Sequence, residues 1–412
     1  MKKALEIFLG ILTAMGGFVE IGELVFSINA GAKFGYSLLW VVALGTIGII
    51  IYGEMAGRIA AVTGQPVFYL IRERAGFVVG LGTLVAANLV NLLTCAAEIG
   101  GVAILLKLAL NWPYRVFILL GLIFFLLVMW FLPFQWIERT FGLLGLLMVV
   151  FMLTAILLKP DWPQAAAGFI PNVPALESPK EYLVYAYFAV ALMSSIMLPY
   201  ETYFYASGGI EDHWTPSDVP LNRIIVTVGF VLGSLLAVAL IIMGARLFLP
   251  NHIEPQLPGS AALGPVIVFG KWGLALALLG MFFAFGGAAI ETCLSAAYNL
   301  AQFVGWPWGK FRKPGGAPRF ALAWITMLIL AGLLITTGVD PVSVVEYSII
   351  FSVIILPLTY LPILLVAADR TCMGAFANRW WANTLGWFYL IILTIAGLCA
   401  IPLLIITHGG KG

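Results

Sequence analysis

The octet Gly16-Gly17-Phe18-Val19-Glu20-Ile21-Gly22-Glu23 places three glycines and two carboxylates inside an apolar segment predicted over residues 8–30. A second octet, Ser194-Ser195-Ile196-Met197-Leu198-Pro199-Tyr200-Glu201, combines a pair of small residues, a proline and an acid in a later apolar segment. Aligned, the octets set Gly16-Gly17 over Ser194-Ser195 and Glu23 over Glu201. Corresponding helix breaks in two halves of a chain indicate an inverted-repeat membrane carrier. Plain packing kinks are the alternative, and the matched acids argue against them.

These breaks predict a particular chemistry. Gly22 in the first octet and Pro199 in the second permit the helix to unwind, because glycine is conformationally free and proline lacks a backbone donor. Unwound backbone is tolerated at membrane depth only where it lines a cavity or coordinates an ion. Carbonyl oxygens that converge with carboxylates form a cation site.

Composition sets the class of protein. The 412 residues are 62% hydrophobic and 10% charged, with a mean hydropathy of +1.06. Soluble domains carry about 25% charged residues, so this chain needs a hydrocarbon solvent. A net charge of +2 without a basic stripe argues against a nucleic-acid partner. The sequence holds no phosphate loop and no catalytic motif, so we predict no nucleotide partner, no enzymatic activity and no cofactor beyond a transported ion.

The chain is predicted to be an all-α polytopic membrane protein, a single transmembrane domain over residues 1–412. Of the 21 Lys and Arg residues, thirteen fall in loops on the side of the N-terminus, which predicts a cytoplasmic N-terminus and, with eleven helices, an outside C-terminus. We expect a monomer in the plasma (inner) membrane, surrounded by lipid. The apolar segments are predicted at 8–30, 37–61, 78–108, 114–132, 141–158, 182–206, 223–249, 263–303, 319–337, 344–368 and 384–407.

Acids within these segments outnumber bases. A carboxylate inside a bilayer is costly and usually marks a pathway or a partner, so the excess predicts a cationic substrate or protons. The base at comparable depth is Arg58, one turn from Glu54 and able to pair with it. For Glu54, Glu98 and Glu291 individually, a protonated or backbone-bonded acid is an equal alternative. The candidate acids are Glu20, Glu23, Glu54, Glu98, Glu201 and Glu291.

Four further stretches resemble the Nramp family of divalent-metal transporters, in the family's order. The run Asn29 to Trp40 resembles the family's GGARYGYSLLW, and Val62-Thr63-Gly64 with Leu70 to Arg74 resembles the end of its second helix and the loop after it. Thr94 to Glu98 resembles TDxxE in helix three, and Asp369 to Asn378 resembles DRRxMGxFxN after helix ten. The resemblance implies a leucine-transporter-like fold with two inverted five-helix repeats, about 8–158 and 182–368, and an eleventh helix at about 384–407.

The resemblance also assigns site residues, several of them changed. The family's DPGN motif falls on Glu20 to Glu23, and its MPHN motif on Leu198 to Glu201. Glu20 and Glu23 stand for the ligand Asp and Asn, Leu198 for the ligand Met, and Tyr200 for a helix-six His. Carbonyls near Gly17 and Ser195 stand for the carbonyl ligands. The helix-three acids fall on Cys95 and Glu98, and a helix-ten Gln falls on Ile355.

These changes predict a different ion preference. A thioether favours soft or borderline ions, and replacing it with carboxylates gives a hard, oxygen-rich site suited to magnesium, manganese or calcium. We expect Glu20, Glu23 and Glu201 to bind the ion during alternating access. Glu98 and Glu54 are the proton or gating acids, and proton coupling is left open because no His lies in a predicted helix.

Two alternatives keep the same fold. Facing carboxylates could bind an organic amine or guanidinium instead of a metal. The fold could also serve as an ion channel, or as a sensor that binds an ion without carrying it. The basic run Lys310-Phe311-Arg312-Lys313 lies in a predicted cytoplasmic loop, where we interpret it as fixing topology.

Overall fold

The computed structural model describes residues 20–255, 257–337 and 341–410, and within these ranges the chain is helical without strands. Ten helices, or runs of joined helices, in this part of the chain are long and apolar enough to cross a membrane. The α-helices are α1 Ile21–Phe34, α2 Leu39–Thr63, α3 Val67–Ala75, α4 Phe77–Leu110, α5 Tyr114–Phe131, α6 Phe134–Gly145, α7 Val149–Leu157, α8 Trp162–Ala167, α9 Pro179–Ile196, α10 Pro199–Glu211, α11 Val219–Met243, α12 Leu263–Val304, α13 Pro318–Thr336, α14 Pro341–Ala368, α15 Arg370–Met373 and α16 Trp380–Ile406.

The predicted break in the sixth membrane segment is present. Helix α9 ends at Ile196, and Met197 leaves helical geometry with φ −112° and ψ 46°. Leu198 is extended, with φ −70° and ψ 133°, and α10 begins at Pro199. Proline is favoured at the first helical position, where its missing N–H and fixed φ cost nothing. The proline therefore starts the second half-helix as well as ending the first.

The first segment has the matching geometry at its described end. Glu20 is extended, with φ −99° and ψ 164°, and α1 begins at Ile21. Glu23 is then the third residue of α1, as Glu201 is the third residue of α10. The alignment of the two octets predicted this correspondence. The residues before the break, Gly16 and Gly17 among them, lie outside the described ranges.

Several predicted ends of membrane segments lie four or more residues from their positions in the structure, and two of these differences have a common cause. The fifth membrane segment begins at Phe134 instead of 141, with Pro133 at its N-cap, and continues through a 3₁₀ turn into α7. Its first turns carry Glu138 and Arg139, whose charge lowered the hydropathy there. The seventh segment begins at Val219 instead of 223, and past Met243 it continues as a π-helix, Gly244–Phe248. Polar helix ends at the membrane surface explain both differences.

Close backbone contact fixes α1 beside α11 and the π-helix. A Cβ built on Gly31 would lie 2.1 Å from the carbonyl oxygen of Ile241, and one built on Gly244 would lie 2.2 Å from that of Ile28. Only glycine allows helices to approach this closely, as small-residue packing in membranes requires. The half-helix α1, which begins directly after Glu20 and carries Glu23, therefore packs tightly against α11 and the π-helix. A shift of α11 would move α1 with it.

Candidate cation site

Three carboxylates meet the two helix breaks deep inside the bundle. Glu20, Glu23 and Glu201 are 2%, 1% and 7% exposed. Glu20 Oε2 and both carboxylate oxygens of Glu23 and Glu201 are buried without a hydrogen-bond partner. Leaving such groups unpaired is costly, so a buried orphan oxygen usually marks a missing proton, water or ion. Five oxygens in this condition at one place are the strongest sign of a ligand in the described part of the chain.

Glu98 joins this group from α4. The backbone N–H of Ile21, the first residue of α1, donates a hydrogen bond of 2.9 Å to Glu98 Oε1. Glu20 occupies the N-cap position of α1 but makes no side-chain cap hydrogen bond. An anion at a helix N-terminus is favoured by the unpaired N–H groups and by the helix dipole. Glu98 therefore caps α1 from a neighbouring helix, and its second oxygen remains unpaired.

Tyr200 is a buried neighbour of these acids. It is 1% exposed and within electrostatic range of Glu20, Glu98, Glu201 and Glu291. Glu201 in turn interacts electrostatically with Glu20, Glu23 and Glu291. Among the buried side chains of the described ranges, Arg58 alone is basic, and its guanidinium is bonded to Glu54. Within the described ranges, Glu20, Glu23, Glu98 and Glu201 therefore form no ion pair with a basic residue.

The remaining break residues are held by local hydrogen bonds. Ser195 Oγ donates to the carbonyl of Leu192 at 3.0 Å, so its side chain turns back onto α9. Tyr360 of α14 donates to the carbonyl of Met197 at 2.9 Å. The Ser195 carbonyl lies in the last turn of α9, where helix carbonyls lose their intrahelical partners. It remains a predicted ligand, while the Gly17 carbonyl lies outside the described residues.

The lost thioether has no substitute beside it. Leu198 is fully buried at the position of the family's Met, and the adjacent Met197 offers a sulfur atom. A Cβ built on Gly48 of α2 would lie 2.7 Å from Met197 Sδ and 2.9 Å from a ring carbon of Tyr389. The thioether therefore packs between α2 and α16. Cys95, at the position of a family acid, donates its thiol to the carbonyl of Ala289 at 3.6 Å.

The acids do not form a closed cage. Within residues 20–255, 257–337 and 341–410, no three carboxylate, thiol or imidazole groups converge as a metal-ion cluster. A bound cation would thus need further ligands besides the carboxylates, such as carbonyl oxygens and retained water, or a small closure of the half-helices. Ions such as manganese and magnesium accept mixed shells of carboxylate, carbonyl and water.

Glu54 and Arg58 lie apart from this site, at the end of the bundle where α2 meets α11. Arg58 Nε donates to Glu54 Oε1 at 3.0 Å, and Arg223 Nε of α11 donates to the same oxygen at 3.1 Å. Arg58 Nη2 also donates to Asn378 Oδ1 at 2.7 Å, and Nη1 donates to the Phe376 carbonyl. We call Glu54, Arg58, Arg223 and Asn378 the latch. It joins α2, α11 and the segment after α14.

Sequence reasoning missed the hydroxyl and amide groups around the site. Thr94 of α4 shares a hydrogen bond of 2.8 Å with Ser348 of α14. Asn91 and Ser352 lie about one helical turn from Thr94 and Ser348, and the buried atoms Asn91 Nδ2 and Ser352 Oγ have no hydrogen-bond partner. The signal was available, because 91, 94 and 98 recur at helical spacing, as do 348 and 352. Serine, threonine and asparagine also occur in membrane helices as packing residues, so this spacing alone does not identify a site.

The sequence of this chain is similar to those of a known family of membrane proteins. A family model described as natural resistance-associated macrophage protein-like, Nramp, matches residues 10–402. A protein of Latilactobacillus sakei named divalent metal cation transporter MntH is 26% identical over 94% of this chain and 87% of its own length. The protein of that name from Deinococcus radiodurans is also 26% identical, over 94% of this chain and 87% of its own.

Solved structures agree on the fold. The manganese transporter of Eremococcus coleocola superposes with a TM-score of 0.80 at 20% identity, covering 98% of this chain and 87% of its own. MhsT in complex with L-phenylalanine superposes with a TM-score of 0.62 at 19% identity, covering 97% and 98%. The predicted all-α fold of the leucine-transporter type is confirmed. The boundaries of the two repeats remain predictions.

Proposed function

The chain belongs to the Nramp family, and we propose that it carries a divalent metal cation across the membrane by alternating access. The ion would bind between the breaks before α1 and α10. The observation that carries the proposal is the set of five unpaired carboxylate oxygens of Glu20, Glu23 and Glu201 at the two breaks. A divalent cation supplies the positive charge that these buried oxygens lack. The relatives named divalent metal cation transporters support the same class of substrate.

The oxygen-only character of the group supports a hard or borderline ion. Leu198 occupies the position of the family's ligand Met, and the sulfur of the adjacent Met197 packs against Gly48. Magnesium, manganese and calcium all accept carboxylate, carbonyl and water oxygens. We propose manganese first among them, because the Eremococcus coleocola protein that shares this fold is a manganese transporter.

The two remaining acids take different roles in this proposal. Glu98 is buried beside Glu20 with one oxygen unpaired, so it is the acid placed to exchange a proton as the cation binds or leaves. Glu54 forms ion pairs with Arg58 and Arg223. It acts in the latch, whose opening would separate α2 from α11.

Counterflow in liposomes tests the proposal. Vesicles loaded with unlabelled manganese should accumulate labelled manganese transiently, because a carrier exchanges ions one for one through its site. Glu20→Gln should abolish this exchange, while Glu177→Gln, the same change at an exposed acid, should leave it intact. A current that grows with voltage and no exchange would instead show a channel. Exchange of labelled amines without exchange of metal would show that the substrate is an organic cation.

A further inference from the structure

The basic run at residues 310–313 forms one wall of a cavity that the proposed transport function does not use. The cavity has a volume of about 580 Å³. It lies between the end of α5, the start of α6, the start of α13 and the loop that follows α12. It is separate from Glu20 and Glu201, neither of which lines it.

The charge of this cavity has one sign. Its lining contains Lys310, Arg312 and Lys313 and no acid. Arg312 and Lys313 are exposed, and neither takes part in the ion pairs found within the described ranges. Lys310 lies within electrostatic range of Glu211 and Glu291. Arg312 and Lys313 therefore supply the positive charge of the cavity that a bound anion would meet, and a compact multivalent oxyanion fits these two cations best.

The other wall is apolar and faces outward. Trp130 and Phe131, at the end of α5, are 48% and 71% exposed and line the cavity. The exposed face of α5 continues from them through Leu127 and Ile123. Exposed aromatic residues at the end of a membrane-length helix mark the level of the lipid headgroups. The cavity therefore opens where a headgroup meets its acyl chains, with cations on one side and an apolar helix face on the other.

We propose that this cavity binds the phosphate headgroup of an anionic phospholipid, with Arg312 and Lys313 contacting the phosphate and an acyl chain lying along α5. A free phosphate ion would satisfy the cations but would leave Trp130, Phe131 and Leu127 without a partner. A lipid uses both walls. Basic pockets between membrane helices bind anionic headgroups by this combination.

Lys310 connects the cavity to the half-helix that carries Glu201. Its ammonium lies 4.8 Å from the ring centroid of Phe134 and 5.8 Å from that of Phe204 on α10. Its backbone N–H donates to the Tyr298 hydroxyl at 2.8 Å, and that hydroxyl donates to Glu211 Oε2, at the end of α10, at 2.5 Å. Lipid in the cavity would therefore restrain one end of α10.

Native mass spectrometry of the purified full chain tests this site. The protein is titrated with phosphatidylglycerol or phosphatidylcholine, and the double variant R312A/K313A is compared with R370A/R379A, which removes two exposed charges elsewhere at the same end of the bundle. We expect the first variant to bind phosphatidylglycerol about tenfold or more weakly and the second to bind it as the parent does. Equal thermal stability of the two variants shows that folding is unchanged.

Three results would overturn the proposal. One is equal phosphatidylglycerol binding by both double variants. Another is displacement of the lipid by inorganic phosphate at similar concentration, which would assign the cavity to a soluble anion. The third is phosphatidylcholine binding as tight as that of phosphatidylglycerol, because Arg312 and Lys313 would then contribute nothing.

Discussion

Glu98 Oε1 accepts a hydrogen bond of 2.9 Å from the backbone N–H of Ile21, so a carboxylate on α4 caps the half-helix α1 at its break. The contact spans 77 positions of the chain and fixes α1 to α4 beside Glu20. Glu98 therefore has two roles, because it satisfies the N-terminus of α1 and places a titratable carboxyl group beside Glu20 in the candidate cation site. Its replacement can separate these roles.

Glu98→Gln should keep the cap and remove the titratable group, because the amide oxygen still accepts from Ile21. We expect labelled cation uptake to persist in this variant while proton movement, followed with a pH-sensitive dye inside the vesicles, is lost. Glu98→Ala should lose both, since it also leaves the Ile21 N–H buried and unpaired at a cost of about 1–3 kcal/mol. Proton movement that survives in Glu98→Gln would remove Glu98 from the relay.

Arg58 and Arg223 both bond Glu54, but their exposure differs enough to predict unequal effects. The Arg58 side chain is 5% exposed and that of Arg223 is 62% exposed. Arg58→Ala should lower the free energy of unfolding by about 1–3 kcal/mol, because it leaves the half-buried Glu54 Oε2 and Asn378 Oδ1 without their hydrogen-bond donor. Arg223→Ala should cost less than about 1 kcal/mol, as exposed ion pairs do. Equal shifts in thermal unfolding of the two variants would contradict the latch as described.

Gly31 tests the close contact between α1 and α11. Gly31→Ala would bring its Cβ within about 2.1 Å of the Ile241 carbonyl oxygen, a backbone atom that cannot rotate away. We expect a loss of about 1–3 kcal/mol or more in the free energy of unfolding, seen as a lower transition temperature in detergent. Gly82→Ala is the control, because a Cβ there meets nothing within 4 Å. An unchanged transition temperature for Gly31→Ala would mean that α1 can move away from α11.

Leu198→Met tests the origin of ion preference. Restoring a thioether at the break should raise affinity for cadmium relative to magnesium by about tenfold, because sulfur favours softer ions. Leu198→Ile keeps the volume without the sulfur and should leave the ratio unchanged. Competition of each ion with labelled manganese uptake gives the ratio. A ratio that does not differ between the two variants would show that residue 198 does not face the ion.

Much of the fold was predictable because long apolar segments identify membrane helices from hydropathy alone. The break at Pro199 and the equivalence of Glu23 with Glu201 followed from residue type alone, since proline and glycine restrict the backbone in known ways. Helix ends were less predictable where charged turns enter the headgroup region, as at Glu138. Local pattern stops being informative at that boundary.

The surroundings of the site were less predictable than its acids. That Glu98 caps Ile21, or that Met197 turns its sulfur to Gly48, depends on which helices pack together. Spacing along one helix cannot reveal a partner 77 positions away. From the sequence, Glu54 was predicted to be either a proton acid or a gating acid. Its ion pairs with Arg58 and Arg223, which the sequence did not predict together, favour the gating role.

Calorimetric titration tests the cation site most directly. The purified protein is titrated with manganese, magnesium, calcium and a panel of small amines, and manganese is then titrated into Glu20→Gln, Glu201→Gln and the control Glu177→Gln. We predict one divalent ion per chain, affinity reduced at least about tenfold by each of the first two changes, and no effect of the control. Absence of divalent binding at millimolar concentration, or equal affinity in all three variants, would contradict the site between the two breaks.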